Sequence, residues 1–92
     1  MIRSVVLAPT VLKSLKKLPK HIVVKLQAWV DDVEENGLEE IRKRPGYHDE
    51  PLRGQRSGQR SVRLSRAYRA IYVVRKNEIE FVLVEEVTKH EY

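Results

Sequence analysis

The chain has 92 residues, 41% of them hydrophobic and 34% charged, with no cysteine and a formal charge of +5 at pH 7. That length supports one domain, spanning residues 1–92, with one modest core, and the composition excludes a disordered tail. The absent thiols exclude disulfides and cysteine metal sites, no apolar run approaches the ~20 residues of a membrane span, and the apolar run in Met1–Pro9 is too short for a secretory leader, so the cytoplasm is the expected compartment.

Ile2 to Leu7 reads as a short strand. Pro9-Thr10 opens a helix with Val11, Leu12, Leu15 and Leu18 as its apolar stripe and Lys13, Lys16 and Lys17 as its polar face, and Pro19 ends it. A second helix is predicted from Lys20 to Asn36, where Ile22, Leu26, Trp29, Val30 and Val33 recur at helical spacing and Asn36-Gly37 supplies a stop. So short a break predicts an antiparallel helical hairpin. Leu38 to Gly46 reads as a charged connector, Tyr47 to Gly54 as a loop with a short extended piece, and Gln55 to Gly58 as a polar turn. The period then changes. Arg60 to Leu64 alternates, Tyr68 to Arg75 and Ile79 to Val87 are β-branched and aromatic, and Lys76-Asn77 reads as a hairpin turn. Thr88 to Tyr92 reads as a polar tail. This order predicts an α+β fold with the helical hairpin packed on one face of an antiparallel sheet.

The cations are unevenly placed. Arg53, Arg56, Arg60, Arg63, Arg66, Arg69 and Arg75 crowd the C-terminal half, and Lys13, Lys16, Lys17, Lys20 and Lys25 crowd the helices. Such a balance favours a polyanionic partner, and guanidinium forks suit phosphate oxygens better than ammonium groups do. Ser61 and Arg63 share one face of their strand, Val62 and Leu64 the other. Arg69 interrupts an otherwise apolar strand, which calls for an exposed face, an ion pair with Glu85 or Glu86, or a phosphate. No phosphate-loop glycine pattern or metal-like histidine spacing occurs, so no metal or other cofactor is expected.

Four stretches follow in order: Glu50-Pro51-Leu52-Arg53-Gly54, then Ser61-Val62-Arg63-Leu64, then Ala67-Tyr68-Arg69-Ala70-Ile71-Tyr72, and after one more strand His90-Glu91-Tyr92. This series resembles the RelE/ParE superfamily of bacterial toxins, and within it the YoeB-like and RelE-like mRNA interferases. The resemblance covers the whole chain in element order and is sharpest from Glu50 to Tyr92. It implies a β-α-α-β-β-β domain acting as the toxin of a type II toxin–antitoxin system. Such toxins enter the ribosomal A site and cut mRNA without a metal. The ribose 2′-OH attacks the adjacent phosphate, leaving a cyclic phosphate and a 5′-OH end. The implied partners are a cognate antitoxin protein, the ribosome and its mRNA, and operator DNA only through the antitoxin complex, with no membrane involved.

The chemistry requires a base for the 2′-OH, an acid for the departing 5′-oxygen and cations for the charge on phosphorus. By resemblance, Glu50 is the base and His90 is the acid, while His48, two residues from Glu50 and without a match in the family pattern, is a substitute base. Arg69 and Arg63 are the phosphate clamp, and Tyr92 stacks on a base. Arg53 and Arg60, with Lys13, Lys16 and Lys17, are expected to contact RNA. Glu91 departs from the YoeB pattern by standing between the terminal His and Tyr. Two other readings remain open. A ParE-like toxin would poison DNA gyrase by binding, although such chains generally lack the loop Glu and the terminal His-x-Tyr. A non-catalytic RNA-binding domain would use the Arg face alone.

Overall fold

A computed structural model describes residues 1–89. In chain order it has β1 (Ser4–Leu7), α1 (Pro9–Ser14), α2 (Lys20–Asn36), α3 (Leu38–Ile41), β2 (Glu50–Pro51), β3 (Arg60–Arg63), β4 (Tyr68–Asn77) and β5 (Ile79–Lys89). Single 3-10 turns lie at Pro45–Tyr47 and Gly54–Arg56. The strands form one sheet in the order β1-β5-β4-β3-β2. β1 runs parallel to β5, and the other neighbours are antiparallel. The α+β class and the order of helices and strands are as expected, and Glu50–Pro51 is the short extended piece.

Pro9 starts α1, where its missing N–H costs nothing. The helix stops at Ser14, four residues before the expected Leu18. The Ser14 hydroxyl donates to the Val11 carbonyl at 2.8 Å, a local bond that competes with helix continuation, and Pro19 disfavours helical geometry just before it. Leu15 and Leu18 still pack against the core from the following turns. α2 has its expected bounds and buries Ile22, Leu26, Trp29 and Val33.

Gly37, at φ +84, reverses the chain after α2, and its N–H donates to the Val33 carbonyl at 2.8 Å. The charged connector then departs from expectation. Leu38–Ile41 is a helical turn that buries Leu38 and Ile41 and exposes Glu39 and Glu40. Leu38 N–H donates to the Ile2 carbonyl at 2.7 Å, and Ile2 N–H donates to Glu39 Oε1 at 3.0 Å, so this turn anchors the entry to β1.

One hydrophobic cluster joins the helices to the sheet. Trp29 and Tyr72 are fully buried within it, their ring centroids 5.4 Å apart and tilted by 42°. Val62, Leu64, Ala70, Val82 and Val84 face the helices from the sheet. Asn77 pairs with Ile79, so Glu78 alone makes the hairpin turn, at φ 69, and Lys76-Asn77 belongs to the strand. A bulge in the β4–β5 ladder lies at Ile71/Tyr72, opposite Glu85. β5 continues through Thr88 and Lys89, which were expected in the tail. His90, Glu91 and Tyr92 lie outside the described residues. Among the described residues no helix is long and apolar enough to cross a membrane.

Candidate functional site

Strand pairing lays two rows of side chains across the sheet face opposite the helices. In one row Glu50 pairs with Ser61, Ser61 with Ile71, and Ile71 with Glu86. In the next, Arg63 pairs with Arg69, and Arg69 with Thr88. Paired residues of antiparallel strands project to one side. Glu50, Arg63 and Arg69 therefore share the face opposite the buried Val62 and Leu64, as the alternation in β3 predicts.

The two arginines stand directly opposite each other. Like charges in that position repel, so an anion between them would stabilise the pair. Among the described residues neither forms an ion pair. Arg69 Nη1 donates to Ser61 Oγ at 3.3 Å, and Ser61 is almost wholly buried beneath it. The carboxylates expected as alternative partners for Arg69 are otherwise engaged. Glu86 pairs with Arg56 at 2.9 Å, and Glu85 accepts from Gln59 Nε2 at 3.1 Å. Arg63 Nη1 donates to His48 Nε2 at 3.3 Å. A guanidinium can only donate, so the imidazole nitrogen accepts in this pair.

His48 is delivered by the Pro45–Tyr47 turn and sits in the left-handed region, at φ 45, with its N–H on the Pro45 carbonyl at 3.1 Å. The turn is docked on α2. Tyr47 Oη donates to Asp32, and Arg44 pairs with the same carboxylate at 3.2 Å. Burial, then the Asp32 carboxylate, push the Tyr47 phenol up to about 12.

Asp49 lies between His48 and Glu50 and is turned to the helix side, its side chain 1% exposed. It accepts from Arg60 Nε at 2.6 Å and from Tyr72 Oη at 2.6 Å, and Tyr72 Oη in turn accepts from Arg42 Nε at 3.2 Å. Burial, then the Asp49 carboxylate, push Tyr72 up to about 12. This network clamps the segment that carries both candidate bases. Asp49, Tyr72 and Arg42 were not singled out from the sequence. The signal available was that a residue between two outward neighbours in an extended segment must point inward.

Arg60, expected at the RNA surface, is held inward by Asp49 and does not join the arginine row. Its place was legible too, since alternation groups it with Val62. Glu50 is exposed. Arg53 is exposed just beyond β2. Lys13, Lys16 and Lys17 are exposed on and after α1, whose Val11 joins the core on the helix side. His90 and Tyr92 fall outside the described residues. Among the described residues no group of three or more His, Asp or Glu side chains is gathered as for a metal ion. The cluster offers two fork-shaped donors for a phosphodiester and, beside them, an imidazole and a carboxylate able to take a proton.

No protein-family model matches the chain, and no curated protein matches it. Solved structures do. YafQ from E. coli is 19% identical, with a TM-score of 0.72 over 96% of this chain and 93% of that one. A chain of the toxin–antitoxin complex RelBE2 from Mycobacterium tuberculosis is 23% identical, with a TM-score of 0.70 over 98% and 100%. A chain of the YoeB–YefM complex from Staphylococcus aureus is 21% identical, with a TM-score of 0.67 over 97% of each. At these identities the likeness is one of architecture, and it extends across nearly the whole polypeptide: the chain has the fold of the RelE/ParE toxin superfamily.

Proposed function

We propose that this chain is the toxin of a type II toxin–antitoxin pair and a ribosome-dependent mRNA endonuclease of the cytoplasm, working without metal or cofactor. The observation that carries this reading is the Arg63–Arg69 pair on the open sheet face, with no carboxylate paired to either among the described residues and with His48 and Glu50 alongside. The fold supports it, since structures sharing that fold include YoeB with YefM and YafQ with DinJ. By the same likeness the direct partner is a cognate antitoxin, and operator DNA is reached only through that complex.

In the A site the scissile phosphate lies between Arg63 and Arg69, which steady the charge that grows on its oxygens. A base takes the 2′-OH proton, the 2′-oxygen bonds to phosphorus, and the P–O5′ bond breaks to leave a 2′,3′-cyclic phosphate. His90 gives a proton to the departing 5′-oxygen, and Tyr92 stacks on a base. His48 serves as base once Arg63 turns from its Nε2 to the phosphate, and Glu50 is the alternative one row away. Arg53, Lys13, Lys16 and Lys17 contact RNA at the periphery, while Arg60 supports the site from behind.

Mapping mRNA 5′ ends after a brief pulse of expression tests this. In-frame cuts within translated codons are expected, and both Arg69→Ala and His90→Ala should relieve growth arrest while retaining fold and antitoxin binding. DNA damage without mRNA cuts would replace the nuclease by a gyrase poison.

A further inference from the structure

Next to the arginine row, and sharing Arg63 with it, a cleft of about 670 Å3 opens between the start of α2, the turn before His48 and the loop after β3. Its size is that of a small-ligand site, roughly 300–1,000 Å3. Four further basic side chains, His21, Lys25, Arg44 and Arg66, line it with Arg63. His21 and Lys25 are one turn apart and so share a face of α2. Tyr47 and the buried Leu64 supply an apolar lining, and the Tyr47 ring is held in place through its hydroxyl on Asp32. The cleavage chemistry uses none of these residues except Arg63.

The combination is informative. A free inorganic anion would need the cations but not an apolar wall. A nucleotide needs both, a surface for the base and donors for the phosphates on either side of it. Arg63 belongs to the cleft and to the row, so a polyanion with one phosphate at Arg63 and Arg69 enters the cleft with its neighbouring unit. The geometry points to a second RNA subsite here, which takes the nucleotide adjoining the scissile one. This rests on the nuclease reading and adds to it a path for the substrate strand. Lys25 and Arg66 hold the strand's phosphates, and Tyr47 and Leu64 face its base.

The test is RNA binding by the whole chain, followed by fluorescence anisotropy with 2′-O-methyl oligoribonucleotides that cannot be cut. The wild type is expected to bind a hexanucleotide at least about fivefold more tightly than a dinucleotide, the gain from one stacked base. Lys25→Glu/Arg66→Glu should lose that gain and lower the slope of log K against log salt by about 0.7 for each phosphate contact removed. If the double variant does not fold, Lys25→Gln should show the same change at smaller size. A full length gain in a folded variant overturns the subsite. So does an oligoglutamate of equal charge that binds the wild type more tightly than the hexanucleotide and loses its affinity in the variant, since the cleft would then dock acidic peptide. Arg69→Ala separates the two claims. If it weakens both RNAs while Lys25→Glu/Arg66→Glu changes neither, only the subsite falls. If the wild type binds neither RNA, the subsite falls, while the nuclease reading stands or falls by the mapping of mRNA 5′ ends.

Discussion

Asp49 faces away from the Arg63–Arg69 row, yet it fixes where His48 and Glu50 can be. Its carboxylate ties β3 to β4 through Arg60 and Tyr72. Truncation would leave a half-buried guanidinium and a buried phenol without their acceptor. Asp49→Ala is therefore expected to cost about 2–3 kcal/mol in urea unfolding, and Asp49→Asn less, because the amide oxygen still accepts. An Asp49→Ala protein as stable as the wild type would show the clamp to be idle. His48 allows a cleaner separation of chemistry from fold. Asn tolerates a positive φ, so His48→Asn should keep stability and lower the cleavage rate by about 100-fold or more if the imidazole is the base. Unchanged cleavage, together with its loss in Glu50→Gln, would transfer that role to Glu50. Among these residues Arg63 and Arg69 were legible in the sequence, because alternation in β3 and a lone cation in β4 are local signals. The inward turn of Arg60 was equally legible by parity. The His48–Arg63 contact was not, since it joins residues on separate elements through the 3-10 turn that precedes His48.

The long elements follow from their periodicity, and the departures cluster where local geometry outweighs it. α2 carries enough turns for its apolar stripe to be read. α3 is too short for any period to emerge, and Glu39-Glu40 gives it the look of a solvated connector. The hairpin turn moved one residue beyond Lys76-Asn77 because a single residue at positive φ closes the β4–β5 ladder. Gly37 is the hinge on which the α2–α3 corner depends. At φ +84 a side chain is strained, and an added Cβ would run into the Met1 side chain. Gly37→Ala should lose about 1–2 kcal/mol of stability, read as a lowered thermal midpoint. An unchanged midpoint would mean that the corner relaxes without cost.

Across the whole molecule, alkaline conditions should be the weak point. An unfolded tyrosine loses its proton near pH 10, whereas folded Tyr72 holds its proton to about 12. The folded form thus binds more protons between those values. The contribution is complete below pH 10 and is lost as pH rises from about 10 to about 12, amounting to about 2 kcal/mol for Tyr72. Denaturation series across that range should show the decline, and Tyr72→Phe should make it shallower. An equally steep decline in Tyr72→Phe would refute the assignment. The placement of β1 carries a consequence for how the molecule comes into being. Among the described residues the first strand of the sheet finds its only neighbour in the last, Ser4 beside Phe81 and Leu7 beside Val84. Since synthesis proceeds from the N-terminus, β1 must wait without a partner until nearly all of the described chain has emerged, and closing so long a loop makes that pairing a late event.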